Sequence, residues 1–216
     1  MIDLEISHIS KSFKKEKILE DISLYGTGGH IYGIIGRNGA GKSVLFKLIC
    51  GLMMFDEGSI RINDKYVGKD IDFPENIGVL IESPGFLWYQ SGYANLAYLA
   101  GIRRIIGRNE IQEIMRNVGL DPFSRKIVAK YSLGMKQRLG IAQAIMENPD
   151  IIILDEPMNG LDEQGVEDMR QLFLHLRDEG KLILLASHNK EDIGVLCDEV
   201  FELKNGKIVE RNRIDL

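Results

Sequence analysis

Long hydrophobic segments are the first feature that this sequence of 216 residues lacks. No uninterrupted apolar run approaches the roughly 18 residues that suggest a membrane-spanning helix. The first residues, Met1-Ile2-Asp3-Leu4-Glu5, are acidic and alternating instead of basic and then apolar, so they do not resemble a secretory signal peptide. The sequence therefore predicts a soluble chain, for which any role at a membrane depends on a partner.

Cysteine and positive charge are also scarce. The two cysteines, Cys50 and Cys197, lie far apart in apolar surroundings, which predicts buried free thiols and no need for an oxidising compartment. Acidic residues outnumber basic ones by 32 to 27, whereas a nucleic-acid-binding protein usually has a basic face. The length and the 44% hydrophobic content suit one globular domain with an inserted subdomain and no nucleic-acid partner.

A glycine-rich stretch from Gly36 to Ser43, GRNGAGKS, fits the phosphate-binding pattern G-x-x-x-x-G-K-[ST] at every fixed position. Gly36, Gly39 and Gly41 have no Cβ, so the backbone can curl tightly and aim successive N–H groups at phosphate oxygens. Lys42 can reach the β- and γ-phosphates, and the Ser43 hydroxyl can ligate Mg²⁺. A glycine-rich turn before a helix is the alternative interpretation of the same residues.

The segments on both sides favour phosphate binding. The apolar run 30–35 predicts a buried strand, and residues 44–49 form a helical pattern that ends before Gly51. A helix that begins near Lys42 would add the positive end of its dipole to the loop. Strand, loop and helix in this order are the context in which the motif binds a nucleotide.

Two acidic residues end a second buried strand. The apolar run 151–154 is typical of a strand buried on both faces, and the carboxyl end of such a strand is where α/β sheets place ligands. Asp155 can hold Mg²⁺ there, and Glu156 can orient and deprotonate a water molecule aimed at the γ-phosphate. His188 follows another apolar strand, in the position of a γ-phosphate sensor. Considered alone, the two acids could equally well cap the exit of a buried strand, and a lone histidine after a strand is usually structural. Beside a phosphate loop the catalytic interpretation of the acids is favoured, because the loop needs a carboxylate for its metal ion.

The remaining periodicity predicts the order of elements. Alternating apolar residues in the first thirty positions predict antiparallel strands, and helical spacing dominates from position 93 to 120. Asn109 and Gln112 resemble a capping box at the start of one of these helices, and Gly119 is a plausible end for it. Asn205-Gly206 predicts a hairpin in the last part of the chain. The whole pattern predicts an α/β core with a helical insertion.

In these residues and their order, the chain resembles the nucleotide-binding subunit of ABC transporters over essentially its whole length. A phosphate loop alone would leave many other NTPases open, whereas six ordered elements are specific. The similar elements are an adenine-stacking aromatic at Phe13, the Walker A loop Gly36–Ser43, the signature loop and helix start Tyr131–Leu139, the Walker B aspartate Asp155 with the catalytic glutamate Glu156, the D-loop Asn159–Asp162 and the switch histidine His188.

The resemblance implies the fold class and the domain organisation. The expected fold is α/β: a P-loop NTPase core with an antiparallel β subdomain and an inserted helical subdomain, as in ABC ATPases. The chain is then a single ABC ATPase domain, with the nucleotide-binding core at 1–81 and 151–216 and the helical subdomain at 82–150. The helical subdomain carries the signature loop.

The resemblance also implies an ATPase that uses ATP and Mg²⁺, with a role for each matching residue. Glu156 and His188 are then catalytic, and Ser43, Glu82 and Asp155 hold the metal ion. The residues implied to bind ATP are Phe13, Gly36, Arg37, Asn38, Gly39, Ala40, Gly41, Lys42, Ser43, Val44, Ser132, Gly134, Met135 and Asp162.

A working dimer follows from the same resemblance. Two such domains close head to tail, because the Walker A loop and the signature loop of one chain face away from each other. Ser132 and the Gly134 amide, at a helix start, would bind the γ-phosphate of ATP held by the opposite chain. The second ATPase is another copy of this chain or a homologous subunit. Closure on ATP would drive separate transmembrane permease subunits, which would place the chain in the cytoplasm at the inner face of the cell membrane.

Two departures from the family pattern narrow the resemblance. Glu82 stands where the family usually has glutamine, so it would offer Mg²⁺ an anionic oxygen. Leu133 replaces a glycine of the signature loop, and because a leucine adopts positive φ only at a cost, we expect negative φ there. The stretches that contain these two residues, 77–86 and 132–140, resemble the subgroup linked to bacitracin and lantibiotic self-protection. This resemblance implies an exporter of antimicrobial peptides or other drug-like cargo.

Two other functional classes stay open at this point. A non-transport ABC ATPase acting on DNA or the ribosome usually carries long coiled coils or a second ATPase unit, and this acidic sequence shows neither. A nucleotide-binding regulator without turnover is disfavoured because Glu156 and His188 are both present.

Overall fold

The computed structural model describes residues 2–14, 16–82 and 85–213. These residues form ten strands and six α-helices, and a short 3₁₀ turn at Val128–Lys130 precedes the fourth helix. In chain order the elements are β1 (Asp3–Phe13), β2 (Glu16–Thr27), β3 (His30–Ile35), α1 (Lys42–Ile49), β4 (Glu57–Ile62), β5 (Lys65–Tyr66), β6 (Ile77–Leu80), α2 (Gly92–Arg103), α3 (Arg108–Asn117), α4 (Leu133–Ile145), β7 (Ile151–Asp155), α5 (Glu163–Asp178), β8 (Leu182–Ala186), α6 (Lys190–Leu196), β9 (Glu199–Lys204) and β10 (Lys207–Arg213).

Two sheets organise the described residues. A four-stranded antiparallel sheet has the order β2-β1-β4-β5, and a six-stranded sheet has the order β10-β9-β3-β8-β7-β6. In the larger sheet, β9, β3, β8, β7 and β6 run parallel, and β10 pairs antiparallel with β9. The predicted α/β class with an antiparallel β subdomain is therefore confirmed. The parallel strands β3, β7 and β8 end at the same edge, which is where such sheets place ligands.

The central strands of the larger sheet are buried on both faces, and their side chains alternate between two cores. Ile151 and Ile153 of β7 pack in the core that also contains Phe46 of α1 and the smaller sheet. Ile152 and Leu154 point to the opposite face, into the core formed with helices α2–α6. A strand with no solvent-facing side reads as a continuous apolar run, as the sequence does here.

The inserted helices α2, α3 and α4 lie between β6 and β7 in the chain. Helix α4 packs directly against β6, because Gly78 has no side chain: a Cβ there would collide with the carbonyl oxygen of Ala144. This close contact holds α4 against the edge of the six-stranded sheet. No helix in the described ranges is long and apolar enough to cross a membrane.

Several local predictions have clear outcomes. The capping box proposed at Asn109 was wrong: the N-cap of α3 is Gly107, two residues earlier, and Arg108 is the first helical residue. The Gly107 N–H donates to Glu110 Oε2 at 3.0 Å, which is the half of a capping box that a glycine N-cap can form. Gly119, at φ 74°, follows the end of α3 as predicted.

The hairpin and cysteine predictions are confirmed. Asn205 and Gly206 have φ of 49° and 76°, the two positive values that a tight turn between β9 and β10 needs. Cys50 and Cys197 are free and buried. Burial raises the pKa of each thiol to about 12, with nearby Asp198 and Asp192 adding to the rise at Cys197.

Candidate functional site

The phosphate loop lies between the end of β3 and the start of α1. At Gly36 a Cβ would collide with the carbonyl oxygen of Leu203 in β9, so only glycine at this position lets the loop pass so close to the strand. Gly41, at φ 105°, is the N-cap of α1 and has no side chain to occupy the helix start. The first N–H groups of α1 are therefore left to a ligand, and an anion is favoured there.

Lys42 is folded back over this loop. Its side chain is only 7% exposed, and Nζ donates to the carbonyl oxygen of Gly36 at 2.8 Å. A second carbonyl, that of Arg37, lies 3.5 Å from the same nitrogen. The ammonium group is thus held at the centre of the loop, where it can neutralise phosphate charge.

Ser43 and Asp155 bring two oxygen donors together at the carboxyl edge of the sheet. The Ser43 Oγ donates to Asp155 Oδ2 at 2.6 Å, which joins the first turn of α1 to the end of β7. Mg²⁺ is usually held by one or two carboxylates together with substrate phosphates. No group of three His, Cys, Asp or Glu side chains in the described part of the chain could hold a metal ion by itself. The donor set at Ser43 and Asp155, next to a phosphate loop, fits Mg²⁺ held jointly with a nucleotide.

Glu82 is engaged with a lysine of α1. Its Oε1 lies 2.6 Å from Nζ of Lys47, which is one helical turn after Ser43 on α1. The backbone of Glu82 is left-handed, with φ 58°. The positions i and i+4 share a helix face, so α1 holds Asp155 through Ser43 and Glu82 through Lys47.

Glu156 and His188 form a pair where β7 and β8 end. His188 Nδ1 lies 2.8 Å from Glu156 Oε2, and the Glu156 N–H donates to the carbonyl oxygen of Ala186 at 2.9 Å. Glu156 adopts left-handed φ of 52°, which costs an ordinary residue roughly 1–2 kcal/mol. Strain of this kind persists where surrounding contacts enforce it, often at active sites.

One cavity of about 760 Å³ unites most of the predicted site residues. Phe13, half-exposed at the end of β1, forms one wall, and Nζ of Lys11 lies 5.6 Å from the centre of its ring. Lys11 also donates to Asp56 at 2.7 Å and holds the pKa of that carboxyl below its usual value. Of the predicted residues, the cavity is lined by Phe13, Asn38, Gly39, Ala40, Gly41, Lys42, Ser43, Val44, Glu82, Asp155 and Glu156.

The signature stretch supplies the start of α4. Ser132 is the N-cap, and its Oγ accepts from the Met135 N–H at 3.1 Å. Leu133 is the first helical residue and does not adopt positive φ, as the sequence predicts. Its side chain is 67% exposed and reaches the cavity, whereas Ser132, Gly134 and Met135 do not line it.

Three other predicted residues do not line the cavity. Arg37 is exposed in the phosphate loop, and Asp162 is the exposed N-cap of α5, accepting from the Gly165 N–H at 3.0 Å. His188 reaches the site through Glu156. The structure adds Ile18, Leu133, Gln137 and Asn159 to the lining. The sequence held one signal for two of these, since Leu133 and Gln137 are four residues apart in a helix.

Together these features define a class of protein: a P-loop nucleoside triphosphatase, with its phosphate loop at the carboxyl edge of a parallel sheet. Residues 19–159 match the family described as ABC transporter, and the chain belongs to this family. As a member it is an ATP-binding chain and an ATPase. The family prediction made from the sequence motifs is confirmed.

Curated relatives extend over nearly the whole chain. An uncharacterized ABC transporter ATP-binding protein of Bacillus subtilis, YybJ, is 41% identical over 98% of this chain and 97% of its own length. The bacitracin transport ATP-binding protein BcrA of Enterococcus faecalis is 36% identical, covering 98% of this chain and 69% of its own length. The lantibiotic transport ATP-binding protein SrtF of Streptococcus pyogenes is 33% identical, covering 98% and 91%. The similarity to this subgroup is as predicted.

A solved structure of an ATP-binding subunit of an ABC transporter has the same fold. It superposes with a TM-score of 0.87 at 27% identity, over 98% of this chain and 90% of the other.

Proposed function

We propose that this chain is the ATP-hydrolysing subunit of an exporter that removes antimicrobial peptides or similar cargo from the membrane. The observation that carries the hydrolytic part is the Glu156–His188 pair at 2.8 Å, next to the Ser43–Asp155 pair at 2.6 Å. A candidate base and a candidate metal site thus lie beside one phosphate loop, which is the arrangement that phosphoryl transfer to water requires.

Each group has a role in this proposal. Phe13 stacks on the base of ATP, while Lys42 and the N–H groups at the start of α1 bind the phosphates. Ser43 and Asp155 would hold Mg²⁺, which would neutralise phosphate charge when bound. Glu156 accepts a proton from the attacking water, and His188 holds that carboxylate in place through Nδ1.

A second ATPase subunit completes the site in our proposal. Ser132 is exposed at the first turn of α4, a helix of 13 residues, and its hydroxyl is free to donate while its oxygen accepts from Met135. A helix start of this kind is suited to an anion. Leu133, an exposed apolar side chain beside it, is the type of residue that an interface covers. Each ATP would then lie between the phosphate loop of one chain and the signature loop of its partner.

The cargo and the location are supported by relatives. Two of them are a bacitracin transport and a lantibiotic transport ATP-binding protein, so we propose a peptide antibiotic as cargo. Transport requires transmembrane permease subunits, which would hold this chain at the inner face of the cell membrane. A gene for a multi-span membrane protein next to the gene for this chain supports the proposal, and deletion of that pair should sensitise cells to a peptide antibiotic.

The hydrolytic proposal is tested with Glu156→Gln. The variant should bind ATP as tightly as the parent because the amide keeps the size of the carboxylate. It should lose at least about 100-fold in turnover, since general bases typically contribute that much. With ATP and Mg²⁺ it should accumulate as a dimer on size exclusion, because closure would no longer be followed by hydrolysis.

Glu113→Gln is a matched control, because Glu113 is an exposed acid on α3 that lines a different cavity. This variant should hydrolyse ATP at the parent rate and should show the same proportion of dimer as the parent. Equal turnover in Glu156→Gln and the parent would remove Glu156 from the mechanism. Stimulation of the ATPase by DNA would instead favour an ABC ATPase that does not transport.

A further inference from the structure

We propose that Gln137 is a positioning residue that holds Glu156 in its active conformation and joins it to the signature helix of the same chain. The inference rests on the proposed role of Glu156 as base. It concerns a residue at the cavity wall that bonds to the backbone of the proposed base instead of supplying the base itself.

The side-chain amide of Gln137 bridges two successive carbonyl groups. Its Nε2 donates to the carbonyl oxygen of Glu156 at 3.0 Å and to that of Pro157 at 3.0 Å. An amide nitrogen carries two hydrogens, so both donors are used. The bonds are partly buried, where a lost partner costs more than at the surface.

Glu156 needs such support because its backbone is not at a relaxed minimum. Its φ of 52° is left-handed, and the conformation is enforced from several sides. The Glu156 N–H donates to Ala186 of β8, and its carbonyl also accepts from the Asn159 N–H at 3.2 Å. Gln137 is the contact in this set that comes from the inserted helices.

The same face of α4 touches the D-loop at a second point. A Cβ on Gly160 would lie 2.5 Å from Cγ of Leu133, and a Cβ on Gly134 would lie 2.7 Å from the Gly160 carbonyl oxygen. Leu133 and Gln137 are four residues apart and therefore share a helix face. The first turns of α4 thus rest on the segment 156–160 through one packing contact and one pair of hydrogen bonds.

This arrangement links the two halves of the proposed dimeric site within each chain. A shift of α4, when its first turn binds the phosphate held by a partner chain, pulls directly on the backbone of Glu156. Gln137 would therefore set the alignment of the base when the interface closes, without changing how tightly ATP is bound.

The test compares Gln137→Glu and Gln137→Met in the full chain. Glutamate keeps the size of glutamine but turns acceptor oxygens toward two carbonyl oxygens, whereas methionine only removes the donors. We expect kcat to fall between about 10-fold and 100-fold, more in Gln137→Glu, because small misalignments of a catalytic group cost this much. KM and the dissociation constant for a fluorescent ATP analogue should stay within about twofold, since the phosphate loop is untouched.

A double-variant cycle separates positioning from a general loss of structure. In the Glu156→Gln background, Gln137→Glu should reduce the residual single-turnover rate by less than about twofold, because residues that act through one another are not additive. The ATP-dependent dimer of Glu156→Gln should also persist in the double variant. These two arms fail separately: absence of the dimer in Glu156→Gln itself overturns the proposed function, whereas additivity, or loss of the dimer in the double variant alone, overturns the role of Gln137.

Gln143 provides the matched control on the same helix, because it lines a cavity at β6 and α2, away from the nucleotide. Gln143→Met should leave kcat and KM at parent values. Parent-like kcat in both Gln137 variants would overturn the proposal. So would equal fractional losses of kcat in the two backgrounds, or a weaker affinity for ATP that accounts for the whole effect.

Discussion

At the scale of single residues, the pair formed by Lys47 and Glu82 is a contact that a glutamine at position 82 could not make as an ion pair. The two side chains are 31% and 65% exposed, so their attraction is screened and contributes at most about 1 kcal/mol to stability. The ion pair therefore serves mainly to position the Glu82 carboxylate, which lines the same cavity as Ser43 and Asp155. Because the pair is weak, Lys47 can release this carboxylate easily.

Glu82→Gln tests whether this charge serves transport. The affinity of the isolated chain for a fluorescent ATP analogue should change by less than about threefold, because an exposed pair is weak. If Glu82 serves Mg²⁺ and the coupling to transport, export should fall further than affinity does. The measurements are analogue binding to the purified variant and antibiotic resistance of cells that also carry the membrane partner.

Lys47→Met is the companion variant, since it keeps the carboxylate and removes its partner. If the charge of Glu82 matters, Lys47→Met should retain more transport than Glu82→Gln. Unchanged resistance in cells that carry Glu82→Gln would count against a special role for this residue.

The two thiols give a second prediction at this scale. Burial raises the pKa of Cys50 and Cys197 from 9.0 to about 12, which favours the protonated thiol. Near pH 8 the thiolate fraction is then about a thousandfold lower than in an unfolded chain, and thiolate is the reactive form. The native protein should react with a maleimide far more slowly than the guanidinium-unfolded protein. Rapid labelling of either cysteine at native conditions would contradict the buried positions.

At the scale of elements, the contact between β6 and α4 depends on one glycine. Gly78→Ala places a methyl group against the carbonyl oxygen of Ala144, so the helix must move away from the sheet. We expect a loss of about 1–3 kcal/mol in the free energy of unfolding, the usual cost of overpacking. Urea denaturation of the purified variants measures this loss.

Gly101→Ala is the matched control for that experiment. Gly101 lies within α2, and a Cβ there would meet no heavy atom within 4 Å. Alanine is a better helix former than glycine by about 1 kcal/mol, so this change should stabilise the chain slightly. Equal stability of the two variants would show that α4 does not depend on close approach to β6.

The elements also show how far sequence reasoning extends. Strands β7 and β8 were predictable because burial on both faces leaves a continuous apolar run. The cap at Gly107 was missed because glycine has no side chain to signal a helix start, and Asn109 nearby is a better N-cap by preference. Gln137 was not singled out for another reason: its spacing from Leu133 shows that the two share a helix face, but its bonds to backbone carbonyls 19 and 20 residues away leave no local pattern in sequence.

At the scale of the whole molecule, exposed apolar side chains are frequent in the inserted segment. Trp88, Tyr98 and Ile102 are each about two-thirds exposed, and Trp88 packs edge-on against Tyr89 with ring centres 5.4 Å apart. Exposed groups of this kind commonly mark partner-binding surfaces. In our proposal a second ATPase subunit covers the nucleotide cavity, so the permease needs a different surface. We expect it to cover the region around Trp88.

Trp88 is the single tryptophan of the chain, so its fluorescence reports on this surface directly. Addition of membranes that contain the proposed permease should shift its emission to shorter wavelength and protect it from quenching by iodide.

Trp88→Ala should weaken retention on those membranes by about 10-fold or more, as truncated tryptophan anchors typically do. ATP hydrolysis by the isolated variant should remain at the parent rate, because Trp88 does not line the nucleotide cavity. Tyr25→Ala removes an exposed aromatic from β2 of the smaller sheet and should be retained like the parent. If both variants are retained equally, or if Trp88 emission does not change when the chain binds, the permease contacts a different surface.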